Sequence, residues 1–134
     1  MVKKPSGDTF SIIQKTKGTL PRVPFVAIKN AVVGEKSYIS LGIIGSTRMR
    51  TLNRTYRNKD KTTNVLAFQS EKNSGDIFID PNRSQREASK FDHTIPEHLG
   101  YLFIHALLHL KGFAHGSRMN SEEKKYMRKF FPHV

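Results

Sequence analysis

The sequence contains no cysteine among its 134 residues. Disulfides, thiolate nucleophiles and any cysteine-ligated zinc site are therefore excluded, an absence that suits an intracellular protein. Acidic residues are scarce: 11 Asp and Glu stand against 23 Lys and Arg, a formal net charge of +12. Long hydrophobic runs are missing as well. The most apolar stretch, Leu99 to Leu110, is interrupted by Gly100, His105 and His109 and falls short of the roughly 20 residues that cross a bilayer. The opening Met1-Val2-Lys3-Lys4-Pro5-Ser6-Gly7-Asp8 has two lysines with no apolar run behind them, so no secretory signal is expected. Internal repeats and low-complexity tracts are absent. These absences lead us to expect a soluble, cytoplasmic protein with no membrane association.

Hydrophobic residues make up 37 % of the chain, enough for a folded core, and the length suits one domain over residues 1–134. The charge excess favours a polyanionic partner, either nucleic acid or an anionic membrane surface. Composition alone does not choose between those two, nor exclude a basic protein with neither.

Strand and helix signals alternate irregularly. Phe10–Gln14 reads as a short strand ended by Lys17-Gly18. From Pro21 to Val33 the apolar residues fall at mostly helical spacing, and Gly34 stands as a C-terminal cap. Tyr38 to Ile44 is β-branched and bounded by Gly45; Ser46 or Thr47 then caps a helix with Met49, Leu52 and Tyr56 on one apolar face. Asn64–Phe68 and Gly75–Ile79 read as antiparallel strands joined by a polar turn from Ser70 to Ser74. Asp80-Pro81 opens a polar helix through Lys90, Pro96 starts an apolar helix reaching Lys111, and Ser117 or Asn120 starts a last one carrying Tyr126, Met127 and Phe130. Without regular βαβ alternation the expected class is α+β, a small mixed sheet packed with helices.

The chemistry concentrates in His105-Ala106-Leu107-Leu108-His109-Leu110-Lys111-Gly112-Phe113-Ala114-His115. His105 and His109 lie one helical turn apart on one face, where two imidazoles converge on a single metal ion. Gly112 falls where a helix ends, and a left-handed turn there returns His115 to the same point. Three neutral imidazoles leave a fourth tetrahedral position open, the arrangement of a catalytic rather than a structural zinc. A buried, unpartnered imidazole would cost about 1–3 kcal/mol, which a metal removes. The spacing His-x3-His-x2-Gly-x2-His is also that of metzincin proteases, whose general base is a Glu directly after the first histidine. Here that position is Ala106, so peptide hydrolysis by that route is disfavoured. His98 lies two turns before His105 on nearly the same face, as a proton shuttle or a partly exposed bystander. His93 and His133 carry no spacing signal.

A second signal runs from Ser46 to Lys61. Arg48, Arg50, Arg54, Arg57, Lys59 and Lys61 face one acid, Asp60. A solvated charged face is the ordinary explanation for such a run. The single sign of the charge, and the fit of arginine to phosphate, favour a nucleic-acid contact.

The block Leu52-Asn53-Arg54-Thr55-Tyr56-Arg57-Asn58-Lys59-Asp60-Lys61-Thr62-Thr63-Asn64-Val65-Leu66-Ala67-Phe68, then Gly75-Asp76-Ile77, then the three histidines resembles the YbeY family from about Tyr38 onward. The resemblance implies a zincin-like α+β fold and an endoribonuclease of ribosomal RNA maturation. It implies zinc on His105, His109 and His115, RNA binding and cleavage through Arg57, and RNA, ribosomal RNA in particular, as partner alongside ribosomal proteins. The sequence departs from the family at Ala106, where Gly is usual, and at Ala114, where Asp is usual. The family's PTDVLSFP reads here Thr62-Thr63-Asn64-Val65-Leu66-Ala67-Phe68-Gln69. Loss of an acid at 114 removes an acceptor that would orient an imidazole.

The expected function is a metal-dependent, single-strand-preferring endoribonuclease with His105 and Arg57 as catalytic residues. Arg48, Arg50, Arg54, Arg57, Lys59 and Lys61 would bind the substrate. Attack by water and attack by the RNA's own 2′-hydroxyl both stay open, with no general base in view. Two other classes stand beside it: a zincin-like hydrolase of another substrate, and a non-catalytic RNA-binding ribosome-assembly factor with a structural metal.

Overall fold

A computed structural model describes residues 9–133; the N-terminal stretch weighed above as a signal lies outside them. Four strands form one mixed sheet: β1 (Phe10–Gln14), β2 (Tyr38–Ile43), β3 (Val65–Glu71) and β4 (Ser74–Ile79). Their spatial order is β1-β2-β4-β3, with β1, β2 and β4 parallel and β3 antiparallel to β4 at the edge. Among the described residues five α-helices accompany it: α1 (Phe25–Val33), α2 (Ser46–Arg57), α3 (Pro81–Ala88), α4 (Ile95–Leu110) and α5 (Ser117–Phe130). This is the expected α+β class, a mixed sheet packed with helices. Among the described residues no helix is long and apolar enough to cross a membrane.

Alternation along the strands separates two apolar layers. Ile39, Leu41, Ile43, Ile77 and Ile79 join the main core with Phe25, Ile28 and Val32 of α1 and the apolar residues of α4 and α5. On the other side Leu66, Phe68 and Phe78 pack with Ile44, Met49 and Leu52 of the α2 segment. Burying each large side chain of this kind contributes about 1.5–3 kcal/mol.

α4 is the central element, with Leu99, Leu102, Phe103, Ile104, Ala106, Leu107 and Leu108 all buried. It packs against α1, α3, α5 and strands β3 and β4, which explains why it is apolar nearly all round. Its start is set by a capping box: Thr94 Oγ1 accepts from the Glu97 amide at 3.3 Å, and Glu97 accepts from the Thr94 amide at 2.7 Å. The helix therefore begins at Ile95, one residue before Pro96.

Several expectations are corrected. α1 starts at Phe25 rather than Pro21, because the residue before Pro24 is held out of the helical region. Gly45, not Ser46 or Thr47, is the N-cap of α2, with no side-chain cap bond. Tyr56 does not face inward. The residue is 66 % exposed, and the buried residues of α2 are Met49 and Asn53. β3 runs on to Glu71, and α3 ends at Ala88 before a 3-10 turn over Ser89–Phe91.

Candidate metal centre and its cleft

α4 carries His105 and His109 on one face, with their Nε2 atoms 3.1 Å apart and ring centroids 4.6 Å apart. The helix then closes on itself. Gly112 adopts φ +105°, its N–H donates to the His109 carbonyl, and the Phe113 N–H donates to Leu108 O, both at 3.0 Å. That left-handed turn swings His115 back, its ring 5.2 Å from His105 and 4.7 Å from His109. One nitrogen from each of the three rings falls within 4.8 Å of the others, as the spacing predicts.

The hydrogen bonds behind the rings decide their chemistry. His109 Nδ1 lies 3.1 Å from the Phe113 carbonyl, which only accepts, so Nδ1 carries the proton and Nε2 presents its lone pair. His105 Nδ1 lies 2.5 Å from Glu123 Oε2, and donation to that carboxylate leaves its Nε2 bare in the same way. Two bare nitrogen lone pairs facing each other at 3.1 Å repel unless a cation lies between them. The donor set thus fits a divalent metal bound through imidazole. Burial above all pushes the His109 pKa below the ordinary histidine value, which favours the neutral form a metal requires.

Glu123 was invisible as a site residue in the sequence. It sits on the buried stripe of α5 with Met119, Tyr126 and Met127, and a lone acid on an apolar stripe is the signal that could have found it. At 6 % exposure its charge needs a partner, and His105 is that partner. The same charge, after burial, pushes the Tyr101 phenol up.

The histidines open on a cleft of about 680 Å³ whose far wall is the end of α2, the loop after it and edge strand β3. Arg57, Lys59 and Lys61 line it; Arg48, Arg50 and Arg54 do not. Arg57 donates to the Ala67 carbonyl at 2.5 Å and lays its guanidinium 4.9 Å from the Phe68 ring centroid. Arg50 and Arg54 turn instead to Asp60, at 2.8 and 3.7 Å. The basic run is therefore less single-signed in space than in sequence. The Arg50 hydrogen bond holds the Asp60 carboxyl below its usual range. The loop is folded back by Asn58, which takes a left-handed conformation at φ 58°, and by buried Asn53, which donates to the Lys61 carbonyl at 2.9 Å.

His98 departs from its expectation. It is fully buried, not a partly exposed bystander, and it stands outside the three-histidine group. Its Nδ1 lies 3.0 Å from His93 Nδ1 and its Nε2 3.5 Å from Glu87 Oε1. Glu87 Oε1 also accepts from Asn64 Nδ2 at 2.9 Å, and Asn64 lines the cleft. His133 is exposed.

A family model described as Endoribonuclease YbeY matches this chain over residues 10–131. The chain belongs to that family. A YbeY endoribonuclease from Lacticaseibacillus casei is 33 % identical over 100 residues, covering 65 % of this chain and 66 % of the relative, so the chain spans just under two thirds of that protein's length. One from Heliobacterium modesticaldum is 34 % identical over 116 residues, with 70 % of each chain covered. One from Oceanobacillus iheyensis is 28 % identical over 137 residues, covering 91 % of this chain and 82 % of the relative. The solution structure of TM1509 from Thermotoga maritima shares the fold, with a TM-score of 0.66 at 22 % identity over 92 % of this chain and 89 % of that one. Within the YbeY frame the departures at 106 and 114 take on physical meaning. Ala106 is buried in α4, whereas Ala114 is exposed. Glu123 and the Phe113 carbonyl, not residue 114, orient His105 and His109.

Proposed function

We propose that this chain acts as a single-domain, metal-dependent endoribonuclease that cleaves single-stranded RNA, ribosomal RNA in particular, in the cytoplasm. The observation that carries this reading is the meeting of two features in one cleft. The three-histidine cluster forms one wall, and Arg57, Lys59 and Lys61 stand along another. His105, His109 and His115 would hold zinc, and zinc when bound supplies Lewis acidity toward a phosphate oxygen or a water molecule.

The protein's own groups do the rest. The Ala67 carbonyl and the Phe68 ring restrict the Arg57 guanidinium, so that its remaining donors meet charge developing on the transferring phosphate without reorganising. Lys59 and Lys61 neutralise neighbouring phosphates. Arg48, Arg50 and Arg54 extend the basic surface beyond the cleft, toward longer RNA or ribosomal proteins. Among the described residues that line the cleft there is no carboxylate. That fits a polyanionic substrate, and it favours attack by the RNA's own 2′-hydroxyl over water activated by an acidic side chain.

The test is an RNA-cleavage assay on purified wild-type, His105→Ala and Arg57→Ala proteins, with metal content measured alongside. Cleavage lost in both variants, with metal lost only in His105→Ala, is the expected result. Cleavage that persists in a verified metal-free His105→Ala sample would sink metal catalysis. RNA binding without cleavage by the metal-loaded wild type would instead point to a ribosome-assembly factor.

A further inference from the structure

Tyr56 breaks the pattern of α2. A residue at its spacing from Met49 and Leu52 is expected to point inward, yet Tyr56 is 66 % exposed. It is held in place all the same. Tyr56 packs against Phe68 with centroids 5.4 Å apart and planes at 60°, and Phe68 is anchored beneath by Phe78 at 6.2 Å. Phe68 also carries the Arg57 guanidinium on its face. Phe68 and Tyr56 lie on the opposite side of edge strand β3 from Ala67, which lines the metal cleft. Arg57 also lines that cleft, so its guanidinium joins the exposed aromatic face to the three-histidine cleft around the edge of the sheet.

The charge around that face selects what can cover it. Arg54, Arg57 and Lys59 are exposed beside Tyr56 in the chain, and the one acid of the segment, Asp60, is taken up by Arg50 and Arg54. A cationic surface repels a basic partner and attracts a polyanion. A polyanion that also presents flat aromatic groups to a tyrosine is a single-stranded nucleic acid, since a duplex keeps its bases stacked inside.

We propose that Tyr56 is a base-stacking shelf at the mouth of the cleft. A nucleotide flanking the scissile phosphodiester stacks on its ring, while the adjoining phosphates pass over Arg57 toward the histidines. The proposal rests on the RNA-cleavage reading and adds to it a physical origin for single-strand preference. Phe68 is a positioning residue that supports both Tyr56 and Arg57.

The experiment compares wild-type, Tyr56→Ala and Tyr56→Phe proteins, all metal-loaded and checked for fold by circular dichroism. Fluorescence anisotropy reads the affinity of each for a short oligoadenylate and for an abasic ribose-phosphate oligomer of equal length. Stacking predicts that Tyr56→Ala weakens oligoadenylate binding by about 5- to 100-fold, that Tyr56→Phe restores it, and that the abasic oligomer binds all three proteins alike. Equal oligoadenylate binding by Tyr56→Ala and wild type overturns the shelf. So does an equal loss on the abasic oligomer. If the shelf alone is wrong, Arg57→Ala still abolishes cleavage; if wild type neither binds nor cleaves RNA, both readings fall together.

Discussion

Glu123 holds His105 across the α4–α5 interface, with Oε2 2.5 Å from Nδ1. The contact joins a buried acid to a half-buried imidazole 18 residues earlier. Removing the carboxylate frees the ring to rotate and weakens its basicity at Nε2. Glu123→Ala is expected to lower metal affinity about 10- to 100-fold, measured by competition with a chromogenic chelator. Glu123→Gln keeps an acceptor oxygen and should lose less. Wild-type affinity in both variants would show that the contact does not orient the ring.

Arg57 combines a carbonyl contact, a stacked ring and a place in the cleft, which only a planar guanidinium provides. Arg57→Lys keeps the charge but should still cut the cleavage rate by about 100-fold or more, with a smaller change in RNA affinity. Single-turnover rates at saturating protein separate the two effects. A lysine variant with wild-type rates would reduce Arg57 to a simple counter-charge.

Asn64 stands where the family usually has Asp, and its amide meets the Glu87 carboxylate at 2.9 Å. Asn64→Asp would set two carboxylates against each other. The expected destabilisation is about 1–3 kcal/mol at neutral pH, smaller at low pH, where one acid takes up a proton. The double variant Asn64→Asp/Glu87→Gln should recover most of the loss. Denaturant melts of the four proteins test the coupling, and additive losses would contradict it.

Burial pushes the pKa values of His93, His98 and His109 below the ordinary histidine value. The unfolded chain then binds more protons than the folded one between the lowered values and about 6.5. Stability is full above that upper limit and is lost as pH falls through the window. In chelator, the melting temperature should drop on acidification below about pH 6.5, and His98→Gln should flatten the slope. A melting temperature that rises on acidification would reverse the assignment.

The proposed RNA path brings several phosphates to the cations that line the cleft, so RNA affinity should fall steeply with salt. Lys61→Ala should reduce the slope of log affinity against log salt by about one. Arg50→Ala should change it less, because Arg50 is committed to Asp60. Equal slopes in the two variants would mean that RNA runs along the outer face of α2 instead.

Much of this site was legible in the residues alone. A strand such as Tyr38–Ile43 announces itself through β-branching. The histidine pair announces itself through a four-residue period and Gly112 through its place at a helix end. These are local properties, set by backbone sterics over a few residues. Tyr56 misled for the same reason: helical spacing says which residues share a face, but not how far the neighbouring strand reaches along it. Glu123, Asn64 and Glu87 were unreadable as partners because each bond joins elements far apart in the chain.

Local sequence alone carries the cysteine-free, cation-rich composition, the α+β class, and three histidines spaced to meet at one point beside a basic run. Packing sets which cations share the cleft with the histidines, which groups orient His105 and His109, and that Tyr56 faces solvent. The physical reason is range: periodicity and capping act within a few residues, whereas tautomers, ion pairs and exposure depend on contacts that exist only once distant segments have packed.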